Sequence, residues 1–238
     1  MIDIFITTYL RDHFAKKCVQ YVKERTQTSH RLTILDNGGN EWAAESSYVD
    51  RYIPLWKAYG NAGIHHAWNV AVSLAEGKYF VTSDPDLLVP DLKPDWLSQM
   101  VSYMETRPDY GAISMHPHIF IGAVGIDPKD PENVIERNMC GAVFRIMDTD
   151  KVRSVRGWDL IIEAGRNHEE RTICSRLQAS EYKTGICSRI RAYHMFGDNW
   201  GYPEEFTPEM QKHNPALREE VERFDNIEAY NPLTWLPK

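Results

Sequence analysis

Apolar residues along this chain alternate between two rhythms. "IDIFIT" (2–7) is a nearly continuous, β-branched apolar run, the pattern of a strand covered on both faces. Behind Asp12, a residue able to cap a helix, Phe14, Cys18, Val19 and Val22 recur at helical spacing. "RLTILDNGG" (31–39) predicts a second strand closed by a turn, because Asp, Asn and Gly accept tight backbone. "YVDRYI" (48–53) predicts a short third strand. In "NAGIHHAWNVAVSLAEG" (61–77), Ile64, Ala67, Trp68, Ala71, Val72 and Ala75 form one helical stripe with Gly77 as its stop. "KYFVTS" (78–83) is again a strand, cut off by Pro85. The order strand, helix, strand, strand, helix, strand implies a parallel sheet with helices on its faces.

Past Pro94 the texture changes. The sequence predicts a helix over 95–107, a strand over 110–116, a loop rich in Pro, Asp and Gly over 117–138, and a strand over 139–146. An amphipathic helix follows at 167–179 and a strand at 184–194, and a short helix starting near Pro208 is expected in the tail. No internal repeat or low-complexity segment interrupts the pattern.

Composition narrows the function classes. The 238 residues suffice for one sizeable core or two small lobes. Net charge is −7, and the 27 basic residues form no block, which argues against nucleic acid as a partner. Cys18, Cys140, Cys174 and Cys187 are scattered without a CxxC pair, so they read as reduced core thiols rather than a zinc site. The first residues read as a strand, not a signal peptide, and the longest apolar stretch, 119–126, is too short to span a bilayer. A cytoplasmic protein, at most peripheral to a membrane, is expected. Neither G-x-G-x-x-G nor GxxxxGK[ST] occurs where a dinucleotide fold or P-loop needs it.

Four polar clusters fall at predicted strand ends, where open α/β sheets bind ligands: Thr7-Thr8-Tyr9, Asp36-Asn37-Gly38, Asp84-Pro85-Asp86 and His194. On an extended segment, Asp84 and Asp86 can point to one side and repel each other unless a cation lies between them. A hard divalent ion, its shell completed by a nucleotide diphosphate, answers that need; the plain alternative is a turn, which Asp-Pro-Asp also starts. Imidazole suits Mn²⁺, so His194 is a candidate third ligand. Asp36 beside Gly38 and Gly39 is, taken alone, turn chemistry, although a carboxylate there can accept from a base or ribose. Glu169 and Glu170 open a helix, where acids suit the dipole; a carboxylate near metal-bound phosphates can also serve as general base. Trp158, Trp200 and Tyr202 are candidates for stacking on sugar faces or for the core. Arg189 and Arg191 are candidates for phosphate contacts or for plain exposed strand positions.

These clusters, in this order, resemble the family 2 glycosyltransferases of the GT-A fold. The likeness runs through "IFITTYLR", "RLTILDNGG", "NAGIHHAWNVAV", "GKYFVTSDPD", "VRGWD" and "EERTICSRL", most of residues 2–197. It implies an α/β single domain: a Rossmann-like, mixed, mainly parallel central sheet flanked by helices. Residues 1–90 would be its nucleotide-sugar half, and 91–238 its acceptor and catalytic half, with a tail from about 203. The resemblance places Thr8, Tyr9, Arg11, Asp36, Asn61, Gly63, Asp84 and Asp86 at the donor and Trp158 and Asp159 at the acceptor. It gives Asp86, His194 and Asp84 to a Mn²⁺ or Mg²⁺ ion, and makes Glu170, or Glu169, the base. Two positions depart from the family pattern: Trp68-Asn69 stands where Arg-Asn is usual, and Thr172 stands where another acid follows the acidic pair.

The function so implied is a metal-dependent, inverting transfer from a nucleotide-diphosphate sugar, UDP favoured over GDP, to a hydroxyl acceptor such as a glycan. A sugar nucleotidyltransferase would want a Gly-rich basic loop after the first strand, which "TTYLRDHFAKK" lacks. A non-catalytic nucleotide- or carbohydrate-binding module would leave the acidic pair and His194 without a task.

Overall fold

The structure, a computed structural model, describes residues 1–10, 12–117, 134–158 and 168–195. Strand β1 (Ile2–Thr8) is buried from Asp3 onward, as its unbroken apolar run requires. Helix α1 (Asp12–Arg25) turns its Phe14, Cys18, Val19 and Val22 stripe inward. There follow β2 (His30–Asp36), a 3₁₀ turn (Glu41–Ala44), β3 (Arg51–Pro54), the single turn α2 (Trp56–Tyr59), α3 (Gly63–Leu74), β4 (Tyr79–Ser83) and the two-residue β5 (Leu87–Leu88). The second half holds α4 (Trp96–Glu105), β6 (Tyr110–Pro117), β7 (Val134–Glu136), β8 (Arg145–Asp148), α5 (Thr149–Ser154), α6 (His168–Ala179) and β9 (Lys183–His194).

The nine-stranded sheet has the order β3-β2-β1-β4-β8-β6-β9-β5, with β7 also paired to β9. Strands β1, β2, β3, β4, β6 and β9 run one way, while β5, β7 and β8 oppose them. The sheet is thus mixed and mostly parallel. Helices α1 and α4 cover one face, packing Val19, Trp96 and Met100 on Ile4, Ile34 and Ile113. Helices α3, α5 and α6 cover the other, packing Trp68, Val152 and Ile173 against Phe5, Phe80 and Met147. All four cysteines are free and buried. No helix among the described residues is long and apolar enough to cross a membrane.

Three elements differ from the pattern-based expectation. The strand expected over 139–146 begins only at Arg145, because Phe144 takes a positive φ of 42° that ends any extended run before it. The segment before it still bonds to the sheet, through Met115 N–H to the Val143 carbonyl at 2.9 Å and Asp84 N–H to the Ala142 carbonyl at 3.2 Å. The expected loop over 117–138 contains β7 at its end. The third strand starts at Arg51 rather than at Tyr48. The helix expected after Pro208 lies outside the described residues.

The co-directional strands bring Thr8, Asp36, Ser83, His116 and His194 to one rim. β5 then folds back so that Leu87 lies opposite His194 and Leu88 opposite Tyr193. The Met195 N–H donates to the Asp86 carbonyl at 2.8 Å.

Asp95 ties the two halves of the chain together. It caps α4 through the Leu97 and Ser98 N–H groups, and it accepts from the Gln27 and Thr28 N–H groups and the Thr28 hydroxyl. Burial pushes its pKa up, but the N–H groups of Ser98 and Thr28, the Thr28 hydroxyl and the Gln27 N–H outweigh it and hold the carboxyl below its ordinary 3.8. Its stabilisation is therefore complete above 3.8 and is lost as pH falls through the lower folded value. Asp95→Ala should cost about 3 kcal/mol in urea denaturation at neutral pH, from the lost cap and the stranded N–H groups. Asp95→Asn should flatten the acid limb of the stability profile below pH 3.8.

Candidate active site

The first rim cluster is built around Asp36. Its carboxylate is fully buried and accepts from Gly38 N–H (2.9 Å), Asn40 N–H (2.7 Å), the Asn40 side-chain amide (3.0 Å), the Thr8 hydroxyl (3.3 Å) and the Tyr52 hydroxyl (2.8 Å). Burial first, and then the bond to Asp36, pushes Tyr52 up to about 12 against the opposing Trp56 N–H. Both oxygens accept from the protein, and Asp36 shapes the turn. Turn chemistry, the reading the sequence supports on its own, is what the structure holds. The close approach is tight enough that a Cβ on Gly38 would come within 2.4 Å of the Leu10 nitrogen.

Around that turn lie the other donor-side candidates. Thr8 is buried, whereas Tyr9 is exposed. Asn37 donates from its side chain to the Gly63 carbonyl at 3.2 Å, and the Asn61 side-chain oxygen accepts from Gly63 N–H at 3.1 Å. Gly63 opens α3 at φ 77°, a conformation that favours glycine. The Thr7 hydroxyl and the Asn37 side-chain oxygen are buried without a hydrogen-bond partner among the described residues. Arg11 lies outside the described residues.

The second cluster joins Asp86 to His194. Their nearest atoms, Asp86 Oδ2 and His194 Nε2, are 3.8 Å apart, and both side chains are largely buried. The antiparallel β5–β9 pairing creates this approach across 108 residues of sequence. Asp84 lies just inside the turn, where its carbonyl accepts from the Ser83 hydroxyl at 3.1 Å. No group of three His, Cys, Asp or Glu side chains among the described residues is placed to hold a metal ion. A carboxylate and an imidazole at one rim nevertheless form a donor set that suits Mn²⁺ or Mg²⁺ when phosphate oxygens and water complete the shell.

The third cluster links that rim to α6. Cys140 N–H donates to the Cys174 sulfur at 3.4 Å, and the two sulfurs are 3.6 Å apart. Cys174 lies one helical turn beyond Glu170, whose charge reaches Cys140. The same 140–142 segment receives Asp84 N–H at its Ala142 carbonyl. Residues 140–142 therefore bridge the Asp84–Asp86 turn and the first turn of α6. Glu170 is half-buried there. Glu169 shares that helical turn, and its side chain lies outside the described residues.

The structure also places residues that sequence patterns did not single out. Arg145 is fully buried, with its guanidinium 4.8 Å from the Trp68 ring centre and 5.3 Å from that of Trp158. It donates to the Cys140 carbonyl at 3.1 Å and, more weakly, to the Thr82 hydroxyl at 3.4 Å. Trp158 is 2 % exposed and packs at 5.3 Å on Trp68. Of the two expectations for Trp158, sugar stacking or core, its burial is that of a core residue. Trp68, which stands where the family usually has arginine, instead forms one wall around Arg145. Asn69 clamps the Trp158 backbone by accepting from its N–H (2.8 Å) and donating to its carbonyl (2.9 Å). The signal for Arg145 was available in "GAVFRIM": one charge inside an apolar strand must find partners. Asp159, Trp200 and Tyr202 lie outside the described residues. Arg189 is exposed, while Arg191 is buried.

With this geometry in place, comparison with known proteins decides the family. The family model described as "Glycosyl transferase family 2" matches residues 3–163. The chain belongs to glycosyl transferase family 2. No curated protein matches it. Among solved structures, the mannosyltransferase PcManGT from Pyrobaculum calidifontis, in complex with GDP-Man and Mn²⁺, is similar at 13% identity and a TM-score of 0.62 over 97% of this chain and 75% of that one. S. aureus TarS 1–349 with UDP-GlcNAc is similar at 10% identity and TM-score 0.63, covering 87% and 61%. GalNAc-T7 with UDP, GalNAc and Mn²⁺ gives 10% and 0.62, covering 82% and 43%. The chain thus spans less than two thirds of the last two. The family 2 chain has the GT-A fold and is a glycosyltransferase.

Arg145→Lys tests the packing that orders the bridge. A lysine keeps the charge but can neither lie flat between two indoles nor fork to two acceptors. It should cost about 2 kcal/mol in chemical denaturation. An unchanged midpoint would show that charge alone is what this position needs.

Proposed function

We propose that this family 2 chain carries out metal-dependent, inverting transfer of a sugar from a nucleotide-diphosphate donor to a hydroxyl acceptor. The observation that carries this reading is the Asp86–His194 approach of 3.8 Å at the rim where six strands end. Supporting it, relatives of the same fold were solved with GDP-Man, UDP-GlcNAc or UDP, and two of the three with Mn²⁺.

Asp86 and His194 would hold the divalent ion, with Asp84 oriented toward the ribose or reaching the ion through water. When bound, that ion neutralises charge on the departing diphosphate. The base and ribose would lie over the turn that Asp36 builds, against Thr8, Tyr9, Asn61 and Gly63, where Thr7 and Asn37 present buried oxygens. Glu170 would remove the acceptor hydroxyl proton as that oxygen bonds to the anomeric carbon; Glu169 is the alternate. The bond from carbon to the diphosphate oxygen breaks on the opposite side, and the nucleoside diphosphate leaves with the electron pair. Attack opposite the leaving group inverts the anomeric centre. Asp84-Pro85-Asp86 then works as a metal-binding motif as well as a turn.

Slow donor hydrolysis gives a test that needs no acceptor. Wild-type protein with Mn²⁺ and a panel of UDP- and GDP-sugars should release free nucleoside diphosphate. Asp86→Asn should lower the metal-stimulated rate by a factor of about 100 or more while the fold is kept. Glu170→Gln should slow transfer to an acceptor about 100-fold with donor binding intact. Full activity in Asp86→Asn would remove the metal site from this account. Pyrophosphate release from a nucleoside triphosphate and a sugar phosphate would favour a nucleotidyltransferase instead.

A further inference from the structure

Arg191 has no role in the transfer chemistry described above, yet its surroundings are unusual for a cation. It is 9% exposed, and its Nη1 is buried without an acceptor. It forms no ion pair among the described residues, and burial alone lowers its basicity. A guanidinium kept from water without a counter-charge is costly to the fold, and an orphaned buried donor of this kind asks for an explanation. On the neighbouring strand β6, two residues before Arg191's register partner His116, the Ser114 hydroxyl, 1% exposed, also lacks a partner among the described residues. Arg145, also buried, differs in having partners: two indoles and two oxygens hold its guanidinium, although its Nε too lacks an acceptor among the described residues.

Strand geometry fixes the side on which this happens. The β6–β9 ladder shifts register between Ser114 and His116, while along β6 itself Ile113 and Met115 pack toward α1 and α4. Ser114 and His116 therefore project with Ala112 from the opposite face, the one α6 covers. The β6–β9 register sets Arg191 beside His116, so Arg191 projects from the α6 face as well. His194, three residues further along β9, projects from the other side of the strand toward Asp86. Arg191 thus projects from the face that α6 covers, opposite to the side from which His194 approaches Asp86.

We propose that Arg191, with Ser114, is an oxyanion-binding site for a carboxylate, sulfate or phosphate group carried by the acceptor. The substrate class so named is an anionic acceptor, a sugar chain bearing acidic groups. This rests on the transferase reading only for the word acceptor; the anion site itself does not depend on it. In a chain of net charge −7 the long-range field gives such a ligand no help, so recognition has to come from a fixed local cation. Arginine suits the task, because its planar fork matches two oxygens at once. The same chemistry could be supplied by the donor diphosphate, and the test separates the two sources.

The experiment is a binding titration that requires no turnover. Wild type, Arg191→Gln, Arg191→Lys and Ser114→Ala are titrated by calorimetry with sodium sulfate, methyl β-D-glucuronide and neutral methyl β-D-glucoside, and separately with UDP or GDP plus Mn²⁺. Sulfate and glucuronide should bind wild type, and the glucoside should bind at least about tenfold more weakly. Arg191→Gln should lose anion binding about tenfold or more, Arg191→Lys should retain part of it, and Mn²⁺–nucleotide affinity should stay within about twofold throughout. If Arg191→Gln does not fold, retention by Arg191→Lys and weakening by Ser114→Ala decide the question. Anion binding that ignores all three substitutions, or no anion binding by wild type, overturns the site. A loss confined to the Mn²⁺–nucleotide titration assigns Arg191 to the donor phosphates and overturns the acceptor proposal. Arginine-dependent anion binding without any donor hydrolysis would leave the site standing and sink the transferase reading instead.

Discussion

Two residues of antiparallel pairing hold this site together. Leu87 and Leu88 hydrogen-bond across to His194 and Tyr193, and the Met195 N–H closes on the Asp86 carbonyl. Without that short ladder, Asp86 and His194 would sit at the ends of strands separated by β8 and β6 in the sheet. The pairing costs little because both leucines are buried in the larger core, so the same burial that stabilises the edge also aims the carboxylate at the imidazole. Pro85, between the two aspartates, cannot extend β4, and the chain is free to reverse into β5.

The other side of the rim depends on buried polar groups bonded within the protein. Asp36 organises the donor-side turn with five hydrogen bonds, and Arg145 anchors residues 140–142 between the aspartate turn and α6. Buried networks of this kind fix a single geometry, which a site assembled from distant segments needs. Asn69 extends the same logic: its two bonds to Trp158 hold the Gly157 turn so closely that a Cβ there would lie 2.3 Å from the Asn69 oxygen. The departure at Trp68 is thus coherent with its neighbours, since the indole packs on Arg145 and Trp158 instead of projecting a cation toward a ligand.

Much of the fold was legible because burial is periodic. The first strand, the Phe14–Val22 stripe and the α3 stripe all follow from spacing alone, and each packs as its pattern requires. The antiparallel insertion of β8 was not legible, since strand direction depends on pairing that no local pattern encodes, and the positive φ at Phe144 left no turn residue to announce it. Asp86 and His194 were singled out from their place at strand ends, and the structure brings them within 3.8 Å. Asp36 and Trp158 were placed at ligands because their positions fit a family pattern. The structure buries both: the Asp36 carboxylate accepts five hydrogen bonds and the Trp158 indole is 2 % exposed. Arg191 shows the reverse: its residue type suggested an exposed strand position, and only the sheet register shows it to be enclosed.

The central claim is that Asp86 and His194 together form a cation seat at the end of the sheet. A crystal of the protein grown with Mn²⁺ and a nucleoside diphosphate, with data collected at the manganese absorption edge, tests this most directly. The account predicts one anomalous peak bonded to both the Asp86 carboxylate and the His194 imidazole, with the diphosphate on its open side. A nucleotide bound at the rim with manganese absent from this pair, or bonded elsewhere, would contradict it.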